Sequence, residues 1–375
     1  MGSPNTLRRM NDRAALYLLL DAGPMTRADL EQASGLSKPA AADLLKRLEA
    51  AGQVRRAGHR AATRGPQAQL WTVNERTGFA AGADVTESGI DVVVADISGK
   101  HVGEATVTGG SDPVASTKEA LRLAAREAGV RRHDLHHLVI GISGSVDPTS
   151  GMLSHAEHLP EWNGFDIQGR LSQALGIPVD VENDVNLVMS DEAIRGRAVG
   201  ANEALLLWMD TGVATALISG GRLHRGFRGS AGELDFVPAS PGDPRIGQLL
   251  ATPAVADLAR EHGIADEPVV SLLATAVARA AEGGSHDCFL NELAARIAGV
   301  LAYPVALIDP ELVILAGAVG TAGGDELADR VRVRLRETIY HRPRVMAGTG
   351  HDNSVRQGAL DAALEQLRET IFGHP

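Results

Sequence analysis

Between residues 26 and 48 apolar side chains recur twice at helical spacing, with a short polar break between the two runs. Leu30 and Ala33 give the first run its apolar side. Thr26 is placed to cap it, Asp29 follows at its positive end, and Gly35 stops it. Ser37 then stands as N-cap of a second helix that takes Pro39 in its first turn. Its Ala41, Leu44, Leu45 and Leu48 fall at the i, i+3, i+4, i+7 spacing of one buried face. Lys38, Pro39, Ala40, Ala42, Asp43, Lys46 and Arg47 are left to look outward, as a helix lying in a DNA major groove requires. Spacing alone suits an ordinary helical hairpin equally well. The flanks separate the two readings: Leu7, Met10, Ala14 and Leu18 stripe a supporting helix, and residues 53–56 and 69–73 are strand-like runs around a polar loop. Helix, helix-turn-helix and β-hairpin together predict a winged helix-turn-helix. Arg64, in the Arg-Gly-Pro tip, is suited to a narrow minor groove. Asp43 is placed to accept from a cytosine amine, whereas Ala40 and Ala42 offer only methyl contacts.

From Gly78 the periodicity changes. Alternating runs at 80–85, 90–96 and 101–107 predict a β-meander, followed by a helix over 114–128 and strands at 138–142 and 177–181. A second meander at 204–209 and 213–218 precedes a mostly helical remainder with one buried strand at 312–315. Two meanders with interleaved helices imply a duplicated, two-lobed α/β body with a cleft, and clefts bind small molecules. The expected domains are residues 1–76 and 77–375, with lobes of about 77–186 and 187–375 and the last helix packing back on the first lobe.

Charge sharpens this division. Residues 1–74 hold 11 Lys and Arg against 6 Asp and Glu, so the net −11 of the chain is about +5 in the head and −16 in the body. A head that approaches phosphate and a body repelled by it are the implied pair. Cys288 is the single cysteine, which excludes a disulfide framework and a cysteine zinc cluster. Without an apolar run of roughly 18 residues or a signal-peptide core, the expected location is cytoplasmic, at the nucleoid.

Four segments carry a family resemblance: Gly82-Ala83-Asp84, residues 139–147 (Val-Ile-Gly-Ile-Ser-Gly-Ser-Val-Asp), Glu182-Asn183-Asp184 and Gly229-Ser-Ala-Gly-Glu-Leu234. Behind a winged helix, this pattern resembles the ROK family of sugar kinases and repressors over nearly the whole chain. The resemblance implies an actin-like (ribonuclease H-like) two-lobed body, a homodimer or homotetramer, an operator in double-stranded DNA and a sugar-like effector. It places the family's catalytic base at Asp184, a sugar-hydroxyl contact at Asn183 and a sugar-binding glutamate at Glu233. By themselves Asn183 and Asp184 read equally as the start of a helix that Asn183 caps. Trp162 falls in a segment the family places near the ligand, where it would line the pocket or simply pack.

The departures from the family are as informative. Its Gly-Gly-Thr phosphate loop is here Val85-Thr86-Glu87-Ser88-Gly89, and its second phosphate motif is Asp210-Thr211-Gly212. Carboxylates at both places oppose nucleotide phosphates. The family's zinc-bridging histidine is Phe236, the cysteines expected between Pro238 and Leu249 are absent, and Asp235 offers a partial polar replacement. No metal and no cofactor are expected. His133, His136 and His137 read as a solvated loop rather than a metal site. The Arg330–Arg336 run reads as the solvated face of a helix. The sequence reading is therefore a repressor with a catalytically inactive, kinase-like sensor body. A sugar kinase that also binds DNA and a regulator whose body only oligomerises are the alternatives.

Overall fold

The computed structural model describes residues 4–60, 67–110, 112–147, 150–154, 156, 159–164, 166–239, 242–265, 267–351 and 353–373. In chain order the head comprises α1 (Pro4–Ala22), β1 (Met25–Thr26), α2 (Arg27–Ser34), α3 (Lys38–Ala50), β2 (Val54–Arg60) and β3 (Ala68–Val73). Then follow β4 (Phe79–Thr86), β5 (Gly89–Asp96), β6 (His101–Thr108), α4 (Pro113–Glu127), β7 (Leu135–Ile142), β8 (Ser145–Val146), β9 (Leu153–Ser154), α5 (Ile167–Leu175), β10 (Val179–Asn183) and α6 (Asp184–Arg195). The remainder is β11 (Ala204–Met209), β12 (Val213–Ser219), β13 (Arg222–Leu223), α7 (Gly247–Leu250), α8 (Thr252–Glu261), α9 (Val269–Arg279), α10 (Ser285–Ile308), β14 (Leu312–Ala316), α11 (Gly317–Thr338), β15 (Arg344–Ala347) and α12 (Ser354–Phe372). By compactness the chain divides into two units. One is Met1–Ile140 with Gln168–Asp180 and Ala359–Pro375, and the other is Gly141–Ile167 with Val181–Gly358.

In the first unit the head forms as its local chemistry directs. Thr26 and Asp29 close a capping box, the Asp29 amide donating to Thr26 at 3.2 Å and the Thr26 amide to Asp29 at 2.8 Å. Gly35 ends α2 in the left-handed region at φ 71°. Ala41, Leu44, Leu45 and Leu48 are buried together, as their spacing requires. Ser37 differs from expectation: it holds the N-cap position, yet its hydroxyl makes no capping bond. Pro39 has no N–H, which removes one of the two amides that such a hydroxyl would reach. The hairpin pairs β2 with β3, with a bulge between Arg56 and His59, and β1 joins its far edge in the order β1-β3-β2.

The rest of this unit is built on a five-stranded sheet, ordered β10-β7-β4-β5-β6 and covered on β5 and β6 by α4. His136 and His137 belong to β7, which begins three residues earlier than its apolar run predicts. Asp180 supplies the reason, since it meets His137 Nε2 at 2.7 Å and makes a polar strand start tolerable. The end of α12 packs on the head. Phe372 meets Tyr17 edge-on at 5.5 Å, Arg13 donates to the Gly373 carbonyl at 3.0 Å, and Gln53 donates to the Ile371 carbonyl at 2.7 Å.

The second unit carries the other five-stranded sheet, β13-β12-β11-β14-β15, in which β11, β14 and β15 run parallel. Strand β15 has no counterpart in the sequence reading. Four residues, Arg-Val-Met-Ala, carry too little pattern to announce a strand. One face of the sheet is covered by α8 to α11, whose core includes Phe289, Leu293, Ile297, Val319 and Leu327, and the other by α6 through Val185, Val188 and Met189. Helix α10 is long and apolar enough to cross a membrane by composition, but Phe289, Leu290, Leu293 and Ile297 are core residues here. Gly358 lets α12 lie against α6, since a Cβ there would come within 2.3 Å of the Leu187 carbonyl oxygen. Within the Arg330–Arg336 run, Val331 and Leu335 belong to the core, while the half-buried Arg330, Arg332 and Arg334 pair with acidic neighbours on α11 or on α10.

Candidate functional site

On the outward face of α3, Lys38, Pro39, Ala40 and Asp43 are exposed, Ala42 is half-buried, and Ser37 is exposed at the helix start. Arg47 does not project freely. Its guanidinium bonds Asp43 one turn back and Asp12 of α1 at 2.6 Å, and these carboxylates push its pKa above the ordinary guanidinium value. The Asp43 carboxylate stays exposed on the outward face, paired with Arg47. Arg55 is held by Glu75, Arg56 by Glu49 while lying over Trp71, and Arg60 by Asp29 at 2.8 Å. The Arg60 guanidinium holds the Asp29 carboxyl below the usual range, so one aspartate both caps α2 and ties down β2. Among the described residues of α3, Lys38 and Lys46 have no partner. Arg64 lies outside the described residues.

The second unit assembles a polar cluster from three chain segments. Asn183 ends β10 and caps α6, its Oδ1 accepting from the Asn186 amide at 3.1 Å. Its Nδ2 donates to the Gly144 carbonyl at 3.1 Å and approaches Glu233 Oε1 at 3.5 Å, while Ser145 Oγ donates to the same oxygen at 3.4 Å. Beside it, the half-buried Asp184 accepts from the Val185 amide at 2.8 Å and from Ser143. Burial pushes its carboxyl above the usual carboxylate range and Asp210 adds to the effect, against the pull of those two donors. Glu182 braces the cluster from behind. It accepts from the amide of Asn183 at 3.1 Å, the side chain of Asn186 at 2.9 Å and Arg225 at 2.5 Å.

Glu233 is aimed by the glycine that precedes it. Gly232 sits at φ 94°, bonds through its carbonyl to the Thr215 amide at 2.8 Å, and lies so close to β12 that a Cβ would fall 1.9 Å from the Thr215 carbonyl oxygen. Only glycine fits there, and Glu233 then bridges Ala214. The other expected ligand residues are elsewhere engaged. Asp235 accepts from the Val213 amide at 3.0 Å and crowds Gly247, while Trp162 is buried. Gly144, Ser145, Glu182 and Arg225 complete the network. The first three lie in the motif segments of the sequence, whereas nothing in the sequence pattern marks Arg225.

At both positions where the resemblance places a phosphate loop the chain carries a carboxylate, Glu87 and Asp210. Glu87 and Ser88 form the two-residue turn between β4 and β5, with Thr86 and Gly89 paired across it. The Asp210 carboxylate accepts from the Thr211 amide at 2.9 Å and, at 3.3 Å, from the Ala318 amide in the first turn of α11. A helix N-terminus is where a phosphate would otherwise find its donors. The zinc that the fold family implies does not fit this chain: among the described residues no group of three or more His, Cys, Asp or Glu could hold a metal ion, and Phe236 replaces a ligand.

A three-helix head with a β-wing, followed by a body of two meander-based α/β sheets, defines a DNA-binding regulator built on a sugar-kinase-like scaffold. The chain belongs to the ROK family, whose model matches residues 80–365, and a MarR family model matches residues 10–65. It is 23% identical over 365 residues to a xylose repressor of Caldicellulosiruptor bescii, covering 91% of this chain and 90% of that protein. It is 26% identical to a glucokinase of Halalkalibacterium halodurans, covering 58% of this chain and 71% of that one. A solved ROK family transcriptional regulator, a homologue of the Escherichia coli MLC protein, shares the fold with a TM-score of 0.72 at 15% identity, covering 98% and 99% of the two chains.

Proposed function

We propose that this protein is a transcriptional repressor whose ROK body has lost phosphoryl transfer and instead senses a small polyhydroxylated effector through Asn183, Asp184 and Glu233. The observation that carries this reading is a contrast within the second unit. The groups suited to hydroxyls are gathered (Asn183 and Glu233 meet at 3.5 Å), while at the first turn of α11 the Ala318 amide is taken by the Asp210 carboxylate, a charge that opposes a phosphate. The xylose repressor, alike over nearly the full chain, supports a sugar-like ligand. As a DNA-binding regulator the protein acts in the cytoplasm. It binds a palindromic operator as a homodimer or homotetramer, with half-sites about one helical turn or a multiple apart. Effector and operator are coupled by differential affinity, which typically amounts to about 1–3 kcal/mol.

The raised carboxyl of Asp184 favours the kinase alternative, because a base that takes a sugar proton at neutral pH is tuned in that direction. The deciding experiment selects an operator from genomic fragments. It then follows release from that DNA and ATP turnover in parallel with mono- and disaccharides, free and phosphorylated. A sugar that releases DNA without turnover, and no longer does so with Asp184→Ala, is the expected result. Turnover abolished by Asp184→Asn would establish the kinase instead. Unaltered DNA binding with every sugar would leave a body that only oligomerises.

A further inference from the structure

The first unit contains a cavity of about 520 Å³, formed by α4, the residues that follow it, the start of β7 and the end of α5 and sharing no residue with the Asn183–Glu233 cluster. Its volume is that of a small-molecule site. Leu121, Leu135, Leu175 and Ile177 make an apolar floor, each of them buried. Its polar lining is of one sign: Lys118, Arg122 and Arg126 recur every fourth residue along α4, Arg132 faces them from beyond the helix, and among the described residues no carboxylate lines the cavity. This runs against the field of a body that carries about −16 overall. Two of the four cations are already used. Arg122 pairs with Glu119 at 2.7 Å, and Arg132 donates to the Leu175 carbonyl at 2.6 Å, where it caps the end of α5. Lys118 and Arg126 are exposed and have no partner among the described residues. The acidic neighbour Glu127 is turned away, accepting from the Glu104 amide of β6 at 2.7 Å.

We propose that this cavity binds an amphiphilic organic monoanion, an aryl or medium-chain alkyl carboxylate, with its apolar body on the leucine-isoleucine floor and its carboxylate between Lys118 and Arg126. A sugar would leave the floor without a counterpart, and inorganic phosphate would use only the rim. A carboxylate joined to an apolar body matches both, gaining charge-assisted hydrogen bonds at the rim and burial of its hydrocarbon below. The inference is independent of what binds at Asn183.

The test uses the full chain. Fluorescence of 8-anilinonaphthalene-1-sulfonate, itself an amphiphilic anion, reports occupancy, and octanoate, 4-phenylbutyrate, octanol and an acidic amphipathic peptide compete with it. Octanoate and phenylbutyrate should displace the dye, with octanol at least tenfold weaker. The Lys118→Glu/Arg126→Glu variant, altered only at exposed positions, should bind both acids at least tenfold more weakly while its thermal unfolding is unchanged. Octanol competing as well as octanoate, or a variant of unchanged affinity, would overturn the proposal. So would displacement by the peptide but not by the small acids, which would assign the surface to a protein partner.

Discussion

Asp184→Asn should make the protein more stable at neutral pH. The substitution keeps the shape of the side chain and its acceptor toward the Val185 amide at 2.8 Å and toward Ser143, but removes a charge that burial and Asp210 both disfavour. The sign follows from linkage. A carboxyl raised in the folded state holds its proton more tightly than in the unfolded chain, so folding is unpenalised below the ordinary carboxylate range. The penalty grows as pH rises from there through the raised value and is constant above it. A single stabilising substitution commonly returns about 0.5–2 kcal/mol. At about 2–4 °C per kcal/mol for a body of this size, a gain of about 1–2 kcal/mol raises Tm by about 2–8 °C at pH 7. The advantage shrinks as pH falls through the raised value and is lost below about pH 4, where the wild-type carboxyl is protonated in both states. Thermal unfolding of both proteins at a series of pH values between 4 and 8 measures this. A variant less stable than wild type at pH 7, or one with the same gain at every pH, would refute an electrostatic penalty at Asp184. A gain accompanied by lost effector response would show why the carboxylate is kept.

Two further outcomes are expected. Removing the unpaired cations of α3 with Lys38→Ala/Lys46→Ala should weaken binding uniformly across DNA sequences and flatten the salt dependence of log K by about 2, as fluorescence anisotropy at several salt concentrations would reveal; an unchanged slope would take α3 off the phosphates. Gly232→Ala, whose new Cβ would fall 1.9 Å from the Thr215 carbonyl oxygen, should cost about 2 kcal/mol or more and lower Tm by about 4–8 °C or more, and a variant melting like wild type would mean that the Glu233 loop is not held against β12.

What the sequence determined by itself is what short-range physics controls. The burial of Ala41, Leu44, Leu45 and Leu48 follows from a periodicity that any α-helix obeys. The capping box at Thr26, the left-handed Gly35 and the meander at Phe79–Thr108 rest on neighbours within a few residues. The match at residues 182–184 and 229–234 was equally legible, because two short motifs at long separation are specific even when each is weak. What the tertiary structure decided is which polar groups meet. Arg47 faces outward by its helical angle, but Asp12, 35 residues away, draws it into the head. Asn183 and Glu233 are 50 residues apart and meet only because Gly232 presses its loop onto β12. Asp235, two residues beyond Glu233, is drawn instead to the Val213 amide. Hydrophobic burial is non-directional, so its pattern survives in the linear order of residues. Hydrogen bonds and ion pairs require partners within about 3 Å and at set angles, a condition that exists only once the chain has folded.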